Sequence, residues 1–285
     1  MQTADEIVVR LLREADLPAA MRLKELARWN QTENDWRRLL QLEPEGCFCA
    51  TSAGQLIGTS TTISYGNELA WIGMVLVDPN YRRRGIATKL MQVALDYLRE
   101  AGIGTVKLDA TQEGHPVYEQ LGFKVESLIE RWSGVAGSSA STWATLEAST
   151  RGEFMNVDRR AFGADRSGLI ELLMDDACVA PLVAKAPDGQ VKGYALARSG
   201  TAATYVGPLI ANDAETATEL LDGLLSQLKA QQIYVDLNTD FGTGREILEA
   251  RGLVKQRDLI RMSFGEKSAA GSSAYVFAIA GPEFG

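Results

Sequence analysis

The chain repeats itself at a fixed spacing along its length. The string Ala87-Thr88-Lys89-Leu90 matches Ala217-Thr218-Glu219-Leu220, and Leu121-Gly122-Phe123 matches Arg251-Gly252-Leu253 at the same spacing. Two separate matches at one spacing indicate an internal duplication, in which one structural unit occurs twice. A chain of 285 residues is long enough for two such units, each able to bury a core of its own.

A stretch poor in large apolar side chains separates the two copies. Residues 134–152 are dominated by Gly, Ala, Ser and Thr, a composition typical of a linker. We therefore predict a first unit at residues 1–133, a linker at 134–152 and a second unit at 153–285.

Hydrophobic periodicity predicts that each unit mixes helices and strands. In the first unit a strand, two helices and a β-rich meander lead to Trp71–Val77, a nearly continuous apolar run that predicts a strand covered on both faces. Apolar residues three and four apart after Ala87 predict an amphipathic helix packed on the sheet. A strand, a short helix and a last strand follow, so the first unit is predicted to end near Trp132. Residues 154–174 predict a helix that opens the second unit.

Charge and composition exclude several classes of function. With a net charge of -8 and a pI near 4.9, the chain lacks the broad basic surface that binding nucleic acid requires. Charged side chains interrupt the first twenty residues, which predict neither a signal peptide nor a membrane span, so we expect a cytoplasmic protein. The spacing of Cys47, Cys49 and Cys178 fits neither a disulfide framework nor a zinc site, and we expect no metal.

The string YRRRGIATKL, Tyr81 to Leu90, places three arginines and a glycine immediately before the amphipathic helix. Unpaired backbone N–H groups and the positive end of a helix dipole meet at such a turn and attract anions. Gly85 lets a ligand approach the backbone, and the small Ala87 leaves the first helical turn uncluttered. Taken alone, the pattern also fits a surface turn held by neighbouring carboxylates. Neither G-x-x-x-x-G-K-[ST] nor G-x-G-x-x-G is present, so a phosphate site here would belong to another class.

The surroundings of this turn carry a family resemblance. It follows the strand-like string Val75-Leu76-Val77-Asp78-Pro79, and Tyr118, in the string YEQLGF, follows Gly85 after one predicted helix and one predicted strand. Residues 6–132 resemble the GNAT acyltransferase family, and the whole chain resembles its tandem two-domain subgroup, whose recurring strings are similar to WNQTENDW and DRRAFGADR. The resemblance implies an α+β fold, an α/β/α sandwich, in which each unit has a mixed, mostly antiparallel twisted sheet flanked by helices.

The resemblance also implies acetyl-CoA as the donor and roles for individual residues. The pyrophosphate of coenzyme A would bind at Arg82, Arg83, Arg84, Gly85, Ile86, Ala87 and Thr88. Its pantetheine arm would pair with the backbone of Val75, Leu76 and Val77, where an N–H group near Leu76 or Val77 would face the thioester oxygen. The leaving thiolate would take its proton from Tyr118. The acceptor pocket would be lined by Trp29, Asn30, Gln31, Trp36 and Thr111, although both tryptophans also fit a place in the core.

No residue is clearly marked as the base that takes a proton from the acceptor amine. A lysine-like amine is mostly protonated at neutral pH, because its reference pKa is about 10.4. The candidates are Asp109, Glu113, His115, Glu33 and Asp35, and a chain of water molecules would serve equally. His115 is the only histidine of the chain, yet its place in the loop string EGHP is also typical of a solvent-facing residue.

The second unit lacks the arginine turn. The aligned residues 209–215 contain no arginine or glycine but carry Asp213 and Glu215, which would repel a pyrophosphate and favour a simple helix start. We therefore predict a degenerate unit that does not bind coenzyme A. It could wall off the acceptor site of the first unit, bind a small regulator or stabilise the chain.

These observations together predict an acetyl-CoA-dependent N-acyltransferase whose acceptor is a small amine or an amino-acid-like molecule attacked directly. A coenzyme A or metabolite sensor without turnover is the alternative from another class. An enzyme that modifies protein N-termini or lysines would need an open peptide groove. We expect a monomer or homodimer with no nucleic acid or membrane partner.

Overall fold

The computed structural model describes residues 6–137, 144–145, 151–265 and 271–285. The strands of the first unit are β1 (Val8–Leu11), β2 (Cys47–Ser52), β3 (Gln55–Tyr65), β4 (Leu69–Val77), β5 (Thr105–Ala110) and β6 (Lys124–Val135). Its helices are α1 (Leu17–Leu26), α2 (Glu33–Leu42), α3 (Ile86–Glu100) and α4 (His115–Gln120).

The second unit repeats this order after a short strand in the linker, β7 (Ala144–Thr145). Its helices are α5 (Arg151–Phe162), α6 (Ser167–Asp175), α7 (Ala214–Gln227) and α8 (Gly244–Glu249). Its strands are β8 (Leu182–Lys185), β9 (Val191–Arg198), β10 (Thr204–Ala211), β11 (Gln232–Asn238), β12 (Val254–Gly265) and β13 (Val276–Ala278). The bounds of β6 and β12 are separated by the same interval as the two sequence matches, so the structural repeat follows the sequence repeat.

The predicted architecture of a mixed, mostly antiparallel sheet flanked by helices is confirmed, but the two units share a single sheet. Its order among the described strands is β1-β2-β3-β4-β5-β12-β6-β11-β13-β10-β9-β8-β7. β12 of the second unit lies between β5 and β6 of the first unit, and β6 in turn pairs with β11 of the second unit. Each unit therefore completes its sheet with a strand of the other.

The exchanged strands also exchange core side chains. Ile260 and Met262 of β12 are buried in the first unit's core against residues of α3 such as Leu90. Trp132 of β6 is buried in the second unit's core with Leu221 of α7. Each such side chain contributes about 2 kcal/mol when fully buried, so neither unit has a complete core without the other.

A further core fills the space between the units. It joins side chains of α1, α2, α5 and α6, such as Trp36, Phe154 and Leu169, to Trp71 of β4 and Phe284. Because the 279–285 segment lies in this core, a part of the second unit is packed directly on the first unit's sheet.

The parallel strands at the centre of each unit diverge. β4 and β5 pair only over Leu69–Trp71 and Thr105–Lys107, and β10 and β11 pair only over Thr204–Val206 and Ile233–Val235. In the second unit the gap is filled by β13, which pairs with both β10 and β11. No described strand fills the gap between β4 and β5.

Two boundaries differ from the sequence prediction. The stretch predicted to be helical over 154–174 is helical in two parts, because α5 ends at Phe162 and Gly163, with φ of +94°, turns the chain before α6. β6 continues to Val135, beyond the predicted end of the first unit at residue 133, because its last residues pair with β11. Of the predicted linker, residues 138–143 and 146–150 lie outside the described residues.

Within the described parts of the chain, none of the helices combines the length and the apolar character that crossing a bilayer requires.

Candidate active site

The second half of β4, Met74–Val77, has one backbone edge that is not paired with another strand of the described structure. A β-bulge at Met74, whose φ is +49°, shifts the register with β3, and Thr59 Oγ1 fixes it by donating a 2.7 Å hydrogen bond to the Met74 carbonyl oxygen. Since β5 has already diverged after Trp71, the N–H and C=O groups of Met74–Val77 on that edge have no partner strand among the described residues. Another extended chain could pair with them.

β4 leads directly into the arginine turn. After a 3-10 turn at Pro79–Tyr81, Arg83 and Gly85 both adopt the left-handed conformation, with φ of +61° and +75°. Gly85 precedes α3, and no side chain accepts a hydrogen bond from the first turn of that helix. The turn therefore presents uncapped N–H groups at the positive end of a 15-residue helix.

The arginines of this turn are exposed. Arg82 Nε donates to the Val77 carbonyl oxygen at 3.4 Å, and Arg84 donates to the Asn80 carbonyl oxygen at 3.2 Å. Arg82, Arg83 and Arg84 form no ion pair with a carboxylate of the described residues; Arg84 instead lies over the Tyr81 ring, with 5.0 Å between its guanidinium carbon and the ring centroid. The Asp78 carboxylate accepts a 3.0 Å hydrogen bond from the Asn80 N–H group of the 3-10 turn, but no described carboxylate neutralises the three arginines. Backbone donors and three guanidinium groups fit a diphosphate well.

A cavity of about 1190 Å³ joins the free edge of β4, the arginine turn and α4. Most residues assigned to the site from the sequence line it. They are Trp29, Gln31, Val75, Leu76, Val77, Arg82, Arg83, Arg84, Gly85, Ile86, Ala87, Thr88, Thr111 and Tyr118.

The structure does not bring Asn30 or Trp36 into this cavity. Trp36 is fully buried between the units, because it lies on the inner face of the amphipathic α2. Asn30 faces the second unit, where its Oδ1 accepts hydrogen bonds from the backbone N–H groups of Ala202 and Ala203 and its Nδ2 donates to the Ala203 carbonyl oxygen. Both are structural residues, and the amide that reaches the cavity is that of Gln31.

Tyr118 lies in an apolar recess of α4. Its side chain is packed against Phe123, with 6.2 Å between ring centroids, and burial raises the pKa of its phenol well above the usual range. The phenol therefore keeps its proton at neutral pH and can donate it. Gly114 makes room for it, since a Cβ built there would lie 2.9 Å from Tyr118 Cε2.

The carboxylates predicted as candidate bases differ in whether they line the cavity and in the groups that bind them. Asp109 lines the cavity but is held by the Arg261 guanidinium in two hydrogen bonds of 2.8 and 2.9 Å. Asp35 accepts hydrogen bonds from Arg38 and Arg198 and does not line the cavity. Glu113 lines the cavity and is exposed.

Glu33 and His115 do not line this cavity. Glu33 accepts a hydrogen bond from Arg37 on the exposed side of α2. His115 begins α4 with Nε2 buried and without a hydrogen-bond partner among the described residues, so it is not the solvent-facing loop residue its sequence context suggested.

Two charged residues of the second unit line the cavity and were missed from the sequence. Glu283 belongs to the 279–285 segment and is 2% exposed. Arg257 of β12 has its Nε buried without a hydrogen-bond acceptor in the described structure, and burial, followed by repulsion from Arg131, lowers its pKa. The only signal for Glu283 in the sequence is its position as a lone carboxylate in the otherwise uncharged run AYVFAIAGPEFG.

The corresponding site of the second unit is closed in two ways. Asp213 caps α7, because its carboxylate accepts a 2.8 Å hydrogen bond from the Thr216 N–H group. β13 occupies the gap between β10 and β11, where the free edge lies in the first unit. Backbone groups that could bind a pantetheine chain are thus paired within the chain itself.

Family models match the two units separately. Residues 11–123 match the model of the acetyltransferase (GNAT) family, and residues 154–278 match a second acetyltransferase (GNAT) domain model. The chain belongs to the GNAT acetyltransferase family and carries two GNAT domains in tandem, as the sequence resemblance predicted.

Similar proteins align with between 74% and 98% of this chain. The uncharacterized N-acetyltransferase YitH of Bacillus subtilis is 25% identical over 284 residues, which cover 98% of each chain. Holothin acyltransferase of a Pseudoalteromonas species is 23% identical over 216 residues, 74% of this chain and 72% of that protein. A crystal structure described as a candidate acetyltransferase from Pyrococcus horikoshii has a TM-score of 0.85 at 21% identity, covering 98% of this chain and 96% of its own, and shows the same fold.

Proposed function

We propose that the protein is an N-acetyltransferase that moves an acetyl group from acetyl-CoA to the primary amine of a small or amino-acid-like acceptor, with catalysis in the first unit. The observation that carries this proposal is the continuity of the free edge at Met74–Val77 with the uncapped start of α3. An extended pantetheine arm and a diphosphate are joined in the same order in coenzyme A. The relatives that are named as acyltransferases support the same type of reaction.

The residues present fit the donor. Backbone N–H groups of Arg83–Thr88 and the three arginines would hold the diphosphate, and the free edge of β4 would pair with the pantetheine amides. When bound, acetyl-CoA supplies the activated acetyl group. A backbone N–H group near Leu76 or Val77 would stabilise the negative charge that develops on the carbonyl oxygen.

The transfer needs one bond to form and one to break. The neutral amine nitrogen attacks the acetyl carbon, the C–N bond forms, and the C–S bond breaks with its electrons on sulfur. Tyr118 donates the proton that converts the thiolate to a thiol. The nitrogen loses a proton to a base or to water, and this proton ultimately replaces the one that Tyr118 gave up. Tyr118 suits this role because its phenol is protonated and lines the cavity.

The acceptor end of the cavity supports a small molecule with a polar head. Leu26 and Trp29 line the cavity with apolar side chains, while Gln31 and Thr111 line it with polar groups. Arg257 favours an acceptor that also carries an anionic group, such as the carboxylate of an amino acid, because its guanidinium lines the cavity without an ion pair to the described residues. A cytoplasmic location and a monomeric or dimeric state remain predictions.

The donor site is tested by charge reversal at the turn. The double variant Arg84→Glu with Gly85→Glu should lose measurable binding of coenzyme A in calorimetry, because it replaces a cation and a close backbone approach with two carboxylates. Arg99→Glu with Gly102→Glu makes the same changes at exposed positions that do not line the cavity, including a left-handed glycine with φ of +76°, and should bind like the unchanged protein. Unaltered affinity in the first variant would refute the site. Binding without release of free thiol across a broad panel of amines would instead favour a sensor.

A further inference from the structure

The 279–285 segment is held against the first unit by hydrogen bonds to its carbonyl oxygens. Trp71 Nε1 donates to Pro282 at 3.0 Å, and Tyr65 Oη donates to Phe284 at 2.6 Å. From the second unit, Arg198 donates to Ala280 at 2.7 Å and Arg166 donates to Gly285 at 2.7 Å. A segment fixed by four buried side chains carries Glu283 in a defined position.

Both oxygens of the Glu283 carboxylate are hydrogen-bonded at the cavity wall. Oε1 accepts from Arg198 at 2.9 Å, and Oε2 accepts from Gln31 Nε2 at 2.7 Å. A carboxylate oxygen has two lone pairs, so each oxygen can accept one more hydrogen bond. Glu283 lines the cavity together with Gln31 and Met74, which begins the free edge of β4.

Gln31 leaves an acceptor atom unused at the same place. Its Oε1 is buried and receives no hydrogen bond from the described residues, although Gln31 lines the cavity. Exchanging the amide nitrogen and oxygen of Gln31 would not satisfy its oxygen, because that oxygen would then face the acceptor oxygen of the Glu283 carboxylate. A buried acceptor without a donor costs about 1–3 kcal/mol, and a ligand that brings N–H groups would remove this cost.

We propose that Gln31 Oε1 and the Glu283 carboxylate form the subsite for the acceptor's ammonium group, and that Glu283 takes the proton that this group must lose before attack. The proposal rests on the proposed function. In the balanced step an N–H bond of the ammonium breaks, its electron pair stays on nitrogen for the new C–N bond, and the proton binds to Glu283. The second unit, which has no donor site of its own, thereby supplies a catalytic residue to the first.

The electrostatics of Glu283 suit a base at neutral pH. Burial raises the pKa of its carboxyl group to about 7, against the opposing attraction of Arg198. A base whose pKa lies near the working pH is both available and strong enough to accept a proton. The titratable and charged groups that act on it from the surrounding elements are Arg198, Asp35, Arg131, Tyr65 and Tyr205.

The other carboxylates of the cavity are less suited. Arg261 occupies both oxygens of Asp109, at 2.8 and 2.9 Å, so protonating Asp109 would break a bidentate ion pair. Arg198 donates to one oxygen of Glu283 only, and the second oxygen is shared with the neutral amide of Gln31. Glu113 is exposed and has no fixed partner among the described residues, so nothing orients it towards an amine. It therefore serves as the internal comparison.

The test combines the rate of turnover with two binding measurements that do not require turnover: the affinity for coenzyme A and the binding of ethylammonium. Thiol release from acetyl-CoA would be followed with the fastest acceptor from a panel of amino acids, aliphatic diamines and amino sugars. Glu283→Gln should lower kcat by about 100-fold at pH 7.5, in the usual range for loss of a general base, while calorimetric affinity for coenzyme A is kept. The remaining rate should rise with pH up to the amine's own pKa of about 10, whereas that of the unchanged protein should level off above about pH 7.

Further variants separate catalysis from structure. Glu283→Asp should recover part of the rate, and Gln31→Leu should raise KM for the amine more than it lowers kcat. Glu249→Gln, at an exposed position on α8, should change neither. A Glu283→Gln protein with an unchanged pH profile would overturn the proposal, as would loss of coenzyme A affinity together with turnover. Loss of turnover in Glu113→Gln but not in Glu283→Gln would assign the base to Glu113.

Binding of ethylammonium distinguishes failure of this subsite from failure of the proposed function. In NMR titrations the side-chain amide resonances of Gln31 should shift saturably in the unchanged protein and not in Glu283→Gln. This result is expected even if no member of the panel is acetylated. Absence of a shift in a protein that binds coenzyme A and releases thiol would overturn the subsite alone.

Discussion

At the scale of single residues, the site combines groups whose environments give them opposite tasks. Burial without a charged partner keeps the Tyr118 phenol protonated, and burial brings the pKa of the Glu283 carboxyl group close to neutrality. A proton donor and a proton acceptor therefore line the same cavity. Proton transfers in opposite directions are what acyl transfer from a thioester to an ammonium group requires.

Tyr118→Phe should lower kcat by about 100-fold, since it removes only the hydroxyl that protonates the thiolate. The phenylalanine ring keeps the packing against Phe123, so affinity for coenzyme A should stay nearly unchanged. Steady-state kinetics and calorimetry measure the two quantities. Tyr275→Phe, at an exposed tyrosine, is the matched control. An undiminished rate in Tyr118→Phe would mean that another group or water protonates sulfur.

How far the sequence predicts such residues depends on whether their role is local. The arginine turn and Tyr118 could be recognised because the strand, turn and helix that position them are encoded nearby in the chain. Gln31 could be predicted to line the cavity, but Asn30 and Trp36 could not be distinguished from it. Residues 30 and 31 lie in the loop between α1 and α2, where no periodicity predicts which side chain faces the cavity, and Trp36 lies on the buried face of α2. Glu283 could not be found, since its position depends on packing against Trp71, which belongs to the other unit and is distant in the sequence.

At the scale of elements, two equivalent strand-turn-helix pairs differ by small local changes. α3 begins after a left-handed glycine with nothing to cap it, and α7 begins after Asp213, which caps its own helix. The residue before each helix, Gly85 for α3 and Asp213 for α7, is visible in the sequence and predicts the difference in capping. The insertion of β13 is not visible there, because a three-residue strand carries no pattern of its own.

Gly73 of β4 provides a test of how closely the 279–285 segment must fit. A Cβ at this position would lie 2.8 Å from the backbone Cα of Glu283, so Gly73→Val should displace the segment. We expect kcat to fall by about 100-fold, as a displacement of about 1 Å can cause, with coenzyme A affinity kept. Gly242→Val, where a built Cβ meets no atom within 4 Å, is the control. Equal rates in the two variants would show that the position of Glu283 does not matter.

At the scale of the whole molecule, the two units of the duplication are joined by strands that each contributes to the sheet of the other. β6 and β12 complete each other's units and bury Trp132 and Met262 in the opposite cores. The sequence predicts two units correctly but not the exchange, because a strand pattern is the same whichever neighbour the strand pairs with. The exchange brings Arg257 and the 279–285 segment to the first unit's cavity.

We expect coenzyme A to bind at the start of α3 in the first unit and not at the start of α7 in the second unit. Amide hydrogen exchange with and without coenzyme A tests it most directly, because both helix starts report in one experiment. We predict slower exchange at residues 74–77 and 83–88 when coenzyme A is added, with no change at residues 211–217. Protection at the start of α7, or none at the start of α3, would contradict the account.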